Sequence, residues 1–497
     1  MDEPSKKDSE DSEDTRESNK IETLLNRKVT RRQAIGTVAT AGAVAAGVVI
    51  GGAAGYLVGS SAVPSGPTQT VTQTQTLTAT ERGGPLTFKR GTGIFTIGTS
   101  ISTSGPTAPA VSKVVDMLNS WATLINSRGG IYAEDMGGYI PVKMIVYPDG
   151  GPGDLGTVKA NYTRLATQDK VDLLLGPFAA ALSETASPIA VQNEIPYIDT
   201  DAAEIPIYSQ PDPGNWIVGS IDIINFYTYG YLKVLDSQTD AKTLALIDLG
   251  DDFGTEGNGT GASHFGNVTF AEQFGFDVVT DGSDHINQNF SPNFDYTAEV
   301  QRMKSLDPDV IIFIETTGVF QGQFWLACKA AGYKPRAYHP IFVTSSAFQD
   351  VIGPDLLNGL SGDDTWDPRL PFEGLWGKRF WQQLQTSAGF DARKWTSTPA
   401  YYTALEIASA AVTAAGSTDK GKVRDALNSI EIGTLQGPWR AQKTLTYPIA
   451  APPGVTTGHG MGLFIEIPVQ VINGKSEILG PEEIATAPYV YPQPTSF

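Results

Sequence analysis

The stretch Val171–Asp201, VDLLLGPFAAALSETASPIAVQNEIPYIDTD, restricts the fold more than any other part of the chain. Val171–Leu175 is a short apolar run that ends at Gly176-Pro177, the pattern of a strand buried on both faces of a parallel sheet. Ser183, Glu184 and Thr185 open a helix, with Ala186, Ile189 and Ala190 at helical spacing, and Glu194 closes it. Pro196–Ile198 begins the next strand, which completes a βαβ unit. Both strand ends, near Phe178–Ala181 and Thr200–Ala203, then fall at one edge of the sheet. In open α/β sheets that carboxyl edge is where ligands bind.

The same alternation continues on either side. Ile94–Thr99 is a strand, and Ser102–Pro106 a turn. Val111, Val114, Val115, Leu118, Ala122 and Ile125 mark a helix that stops at Gly129-Gly130, and Val142–Tyr147 is a second strand. From Trp216 a second set of the same style begins. It has a helix over Ile221–Leu235, a strand at Leu244–Leu249, a Gly/Asp-rich turn over Gly250–Gly261 and a strand near Phe276–Val279. A helix at Tyr296–Leu306, a strand at Val310–Ile314 and a helix at Phe324–Ala331 follow. A region with Trp366, Trp376, Trp381 and Trp395 precedes a long helix over Tyr401–Ala415 and another over Val423–Leu427. Leu463–Ile467 and Val469–Ile472 are expected as closing strands, with a turn at Asn473-Gly474. The expected class is α/β, two Rossmann-like lobes with mostly parallel sheets. At 497 residues the chain is too long for one core.

The N-terminus is of a different kind. Residues 1–33 form a charged, Ser-rich tail, expected to be disordered, ending in a Thr30-Arg31-Arg32-Gln33 stretch that resembles a twin-arginine export signal. Ala34–Val58 holds 25 residues without a charge. At ~1.5 Å per residue that is enough to cross a ~30 Å hydrocarbon layer. Residues 34–59 are therefore expected to be a membrane or signal-anchor helix. Cations precede it, which keeps the N-terminus inside and puts the bulk of the chain outside, anchored or exported and cleaved. Residues 60–90, rich in Thr and Gln, are a stalk. Asn161, Asn258 and Asn267 open glycosylation triplets consistent with export.

The net charge of −19 argues against nucleic acid as a partner. The single cysteine, Cys328, allows no internal disulfide and is expected to be a small buried hydrophobe. The histidines, His264, His285, His339 and His459, have no metal-ligand spacing, and no cofactor signature is present. Asp248, Asp251, Asp252 and Glu256 cluster after a strand and are expected to form a solvated connection, although such a cluster would also suit a stalked glycan-active hydrolase. Nothing marks an enzyme.

Taken in order, IGTSISTSGP (Ile97–Pro106), INSRGGI (Ile125–Ile131), Leu173–Pro177 with Ile195–Ile198, DPDV (Asp307–Val310), ACKAAGY (Ala327–Tyr333) and GPEEIATAPYVY (Gly480–Tyr491) resemble one family. It is the type I periplasmic-binding-protein fold, in the branched-chain amino acid (Leu/Ile/Val-binding) group of ABC-importer receptors. The resemblance implies two lobes, 91–215 with 341–438 and 216–340 with 439–497. Three crossovers near Pro213–Trp216, His339–Ile341 and Gly437–Trp439 would join them. It also implies a small-molecule ligand, permease and ATPase subunits as partners, and a monomeric head; a sensor of the same fold is the alternative. Carried over residue by residue, the family's ligand-binding Ser falls on Ala180 and its Thr on Ala203, beside Asp201. Its Tyr-Gly becomes Phe253-Gly254, and no acid stands near Ile341–Phe342 to take an α-ammonium. Backbone donors at Ala179, Ala180, Asp201 and Ala203 remain. Phe178, Tyr197, Phe253 and Thr317 are candidate walls, and Ser104 is a candidate from the loop after the first strand. These departures imply a ligand less polar than leucine or differently charged.

Overall fold

The computed structural model describes residues 88–497, except 202–203, 262, 281–284, 396, 442–465 and 495–496. The expected membrane helix at 34–59 and nearly all of the stalk lie outside these residues, as does Ala203. Among the described residues no helix is long and apolar enough to cross a membrane. Arg90, at the end of the expected stalk, already bridges to Tyr139 in the folded body.

The first sheet is built from β1 (Phe95–Ser102), β2 (Val142–Asp149), β3 (Leu173–Leu175), β4 (Tyr197–Asp199) and β5 (Ile217–Gly219). They run in the order β2-β1-β3-β4-β5, all parallel. Seven of the eight β1 residues are buried, as a strand covered on both faces requires. The crossover helices are α1 (Val114–Ser127), α2 (Leu155–Thr167) and α3 (Ala180–Gln192). Helix α1 buries Val114, Met117, Leu118, Trp121 and Ile125, a single stripe at helical spacing. Asn126 near its end accepts from the Val142 N–H (2.7 Å) and donates to the Val142 carbonyl (2.8 Å), which fixes the start of β2.

Helix α4 (Tyr229–Gln238) leads to the second sheet. That sheet contains β6 (Thr243–Asp248), β7 (Asp277–Val278), β8 (Val310–Ile314) and β9 (Tyr338–Pro340), ordered β9-β8-β6-β7 and again parallel. Its helices are α5 (Asp252–Asn258), α6 (Asn267–Gln273), α7 (Thr297–Leu306) and α8 (Val319–Ala330). A third, antiparallel sheet joins β10 (Ser361–Asp364) to β11 (Ile467–Ile472) and β12 (Lys475–Ile478). Between β10 and β11 come α9 (Lys378–Ala388), α10 (Ser397–Ala415) and α11 (Lys420–Leu427).

Several expectations need correction. Helix α3 begins at Ala180, not at Ser183, because Ala179 caps it with a left-handed φ of 84°. Residues 250–261 are not a turn throughout: Asp251 accepts from the Gly254 N–H (3.1 Å) and caps α5. The apolar run 221–235 is not one helix. Its neighbour Ile217–Gly219 pairs with β4 and extends the first sheet beyond Trp216, and the α-helix starts only at Tyr229. The closing hairpin is β11–β12 around Asn473-Gly474, with both turn residues at positive φ, whereas the expected strand at Leu463–Ile467 lies mostly outside the described residues. Asn258 and Asn267 are 1% and 0% exposed, so the folded protein does not present them for glycosylation.

Ser100 and Ser102, at the end of β1, donate to the two oxygens of Asp149 (2.7 and 2.6 Å) and tie the carboxyl ends of β1 and β2 together. In the loop that follows, Gly105 has φ +79°, and a Cβ there would overlap the Gly150 carbonyl. Gly105→Ala is expected to cost about 1–3 kcal/mol of stability. The urea midpoint measures it, and an unchanged midpoint would refute the account.

Candidate functional site

The parallel strands of both sheets end toward one small cavity of about 10 Å³. It is lined by Phe178, Asp201, Tyr227, Phe253, Thr316, Phe342 and Thr365. Phe178 follows β3 and Asp201 follows β4, and the two are paired by an isolated parallel bridge that prolongs the ladder past both strands. Phe253 is at the start of α5, just after β6; Thr316 follows β8, Phe342 follows β9 and Thr365 follows β10. Both parallel sheets and the antiparallel sheet therefore contribute at their strand ends.

Of the residues expected from sequence, the cavity brings together Phe178, Asp201 and Phe253. Ala179 and Ala180 are buried at the first turn of α3, next to this wall but not in it. Ser104 is exposed in the loop after β1 and lines nothing here. Thr317 is displaced by its neighbour: its hydroxyl and N–H both donate to Glu315 (3.0 and 2.6 Å), and Thr316 faces the cavity instead. Tyr197 is fully buried in a polar knot, 2.5 Å from the Ser183 hydroxyl. Ser183 and Tyr208 donate to the Asp199 carboxylate (2.7 and 2.8 Å), so the knot braces the end of β4.

Tyr227, Thr316, Phe342 and Thr365 escape a sequence reading. Tyr227 is hidden by the apolar run that imitates a helix. Phe342 occupies the place at which the resemblance looks for an acid.

The walls are aromatic. Phe253 stands edge-on to Tyr227 (ring centroids 6.1 Å apart, 81°) and is stacked with Phe342 (6.4 Å, 15°). None of the lining residues is cationic. Asp201 is half-buried, and its Oδ2 is out of reach of solvent with no hydrogen-bond partner among the described residues. Burial, then the nearby Asp199 charge, pushes its carboxyl well above the usual range.

More acids surround the cavity. Glu466 and Glu204 are 3% and 0% exposed, and all four of their carboxyl oxygens lack a hydrogen-bond partner among the described residues. Glu466 is raised by burial and by Asp363, Asp364, Asp201 and Asp222. Glu204 is raised by burial and by Glu184, Asp252, Asp251 and Glu256. Of the 248–256 acids expected to be solvated, Asp252 is exposed and Asp251 half-buried, whereas Asp248 and Glu256 are buried. Asp248 is 2% exposed and accepts from Gly250 N–H (2.7 Å) and Asn258 Nδ2 (2.9 Å), with His285 Nδ1 at 2.6 Å.

A further polar constellation was not legible at all. His339 lies 3.1 Å from the Ser361 hydroxyl through Nδ1 and 2.9 Å from Asp363 through Nε2. The spacing resembles a hydrolytic triad. All three residues are buried, however, and Tyr231 is stacked on the imidazole at 3.7 Å, so no substrate reaches the hydroxyl in this conformation. It is a hydrogen-bonded seam joining β9 to β10.

Several solved structures share this architecture. The leucine binding protein LivK of Thermotoga maritima superposes with a TM-score of 0.59 at 15% identity, over 77% of this chain and 97% of that one. The branched-chain amino acid transporter substrate binding protein LivJ of Streptococcus pneumoniae, in complex with isoleucine, gives 0.59 at 14% identity over 78% and 100%. An ABC-transporter solute binding protein of R. palustris, in complex with benzoate, gives 0.59 at 16% identity over 80% and 98%. At such identities the likeness establishes the fold, a type I periplasmic-binding-protein architecture with mostly parallel sheets. The sequence model described as "Periplasmic binding protein" matches residues 95–447, well over half of the chain. The chain belongs to the periplasmic binding protein family.

Proposed function

We propose that the protein is an extracytoplasmic solute receptor that closes two lobes on a small organic molecule and hands it to the permease and ATPase subunits of an ABC importer. The observation that carries this reading is the cavity walled by strand ends of both parallel sheets, Phe178 and Asp201 from one and Phe253 and Thr316 from the other. Opening and closing the sheets against each other would admit and trap a ligand there. Family membership and the fold of the structures bound to isoleucine and benzoate support it. The uncharged segment 34–59 would tether the protein to the membrane, with 60–90 as its stalk and the head outside. The first lobe would comprise the first sheet with α10, and the second lobe the second sheet.

Leucine is not the expected ligand. Its carboxylate would meet a cavity with no cationic side chain among the described residues and with Asp201 on its wall. A thermal-shift screen of the full chain against small metabolites tests the reading, since a ligand of the folded state raises the melting temperature by mass action. We expect a saturable shift from one chemical class and none from leucine at millimolar concentration. Tight leucine binding would overturn the altered specificity, and no shift from any class would overturn the receptor reading.

A further inference from the structure

Three features of the cleft belong together. The first is Asp201 Oδ2, buried and unpartnered, on the wall of the cavity. The second is the aromatic enclosure of Phe178, Tyr227, Phe253 and Phe342 around the same space. The third is the acidic surrounding: Glu204 and Glu466 carry buried carboxyls without partners among the described residues, and no described Lys or Arg lines the cavity. Each feature alone is ordinary. A buried carboxylate without a partner is costly, and a cation arriving with a ligand removes that cost. Aromatic faces attract the same charge through their quadrupoles, most strongly where water is excluded.

Resting on the receptor reading above, we propose that the ligand is a small organic cation, a substituted or quaternary ammonium, held with its charge between Asp201 and the rings of Phe178, Tyr227, Phe253 and Phe342. An inorganic divalent ion fits less well. Such ions need several converging oxygens, and the described residues contain no cluster of metal-ligating side chains. An amino acid fits less well too, since its carboxylate would find no cationic side chain in the wall. In this conformation the cavity is closed down to about 10 Å³, room for about one water, so the walls must part to admit the ligand, as the receptor reading has them do. Thr316 stands on the wall for a polar tail, with its hydroxyl donating to Asp251 at 2.6 Å. Asp251, Asp252 and Glu256 near α5, and Glu184 on α3 across from them, would draw a cation toward the cleft.

The test is calorimetric titration of the full chain with choline, tetramethylammonium and phenethylammonium chlorides. Uncharged 3,3-dimethylbutan-1-ol serves as the isostere of choline, with leucine and benzoate as anionic-group controls. At least one cation is expected to bind saturably, and the isostere at least tenfold more weakly than choline. Asp201→Asn should weaken the bound cation at least tenfold while leaving the folded protein as stable or more stable, and Phe253→Leu should weaken it severalfold. The proposal is overturned if none of the three cations binds, if the isostere equals choline, or if Asp201→Asn binds the cation unchanged. If leucine or benzoate binds instead, the cation proposal fails and the receptor reading stands. If nothing binds in this set or in the wider metabolite screen, both fail.

Discussion

Trp381→Ala is expected to lower the unfolding free energy by about 3–5 kcal/mol, the range for truncating a fully buried large aromatic. Trp381 is 0% exposed on the inner face of α9. Its ring lies 4.5 Å from Tyr402 on α10, 5.6 Å from Phe390 and 5.8 Å from Trp366, which follows β10. Trp376 joins the same block, 5.7 Å from Tyr402 and 5.9 Å from Trp121 on α1. No neighbouring backbone can collapse into so large a void, so the cavity term stays near its maximum. The block has a functional consequence. It seats α10, and Tyr401 on α10 donates to the Gly176 carbonyl (3.1 Å) at the end of β3, two residues before the cavity wall begins at Phe178. Urea unfolding followed by circular dichroism measures the effect. A loss below about 1 kcal/mol would show that the block is not a keystone of this part of the fold, while Trp381→Phe should retain most of the stability.

The strands of the parallel sheets were legible because burial on both faces leaves an unbroken apolar run, as in VIIFI at β8, all five residues buried. The placement of Phe178 and Asp201 followed from the βαβ unit alone, since topology puts both strand ends at one edge. Phe253 came from the resemblance. What failed has a common cause. Thr316 and Thr317 differ only in which side chain is captured by Glu315, a contact decided by tertiary neighbours. The helix expected over 221–235 is present only from Tyr229, because the buried stretch before it, with a short 3-10 turn at Ile224–Phe226, carries the same apolar content as a buried helix. The burial of Glu204, Glu256 and Glu466 was invisible because a carboxylate in sequence looks like a solvated one. His339, Ser361 and Asp363 meet only because β9 and β10 pack side by side.

The ligand-free protein is expected to be markedly more stable near pH 5 than near pH 8. Glu406 is fully buried on α10 and accepts from the Leu375 and Leu435 N–H groups (2.5 and 2.7 Å), but burial outweighs those bonds and pushes its carboxyl up to about 8. Burial likewise brings Glu315 to about 7 against the opposing pull of Thr317. It brings Asp251 to about 6 against Thr316 and Gly254. Glu184 reaches about 7 through burial and the repulsion of Asp252 and Glu256. All four are raised above the ~4 of an unfolded carboxyl. Between the two values the native state binds more protons than the unfolded chain, so stability falls as pH rises. The full stability is present near pH 4 and is lost as pH passes through about 6 to 8. At ~1.4 kcal/mol per pH unit, Glu406 alone is worth roughly a few kcal/mol over this span. The carboxyls that are lowered, Asp135, Asp295, Asp309 and Asp391, change protonation below pH 4 and do not oppose it. Calorimetric melting at constant ionic strength should give a melting temperature several degrees higher near pH 5, and Glu406→Gln should flatten the slope. An equal or higher melting temperature near pH 8 would show that these carboxyls find partners or water that the folded core denies them. The cleft adds a second dependence of opposite sign. Asp201 must ionise to hold a cation, so a bound organic ammonium should raise the melting temperature more near pH 8 than near pH 5, which separates the charge of the site from the charge of the core.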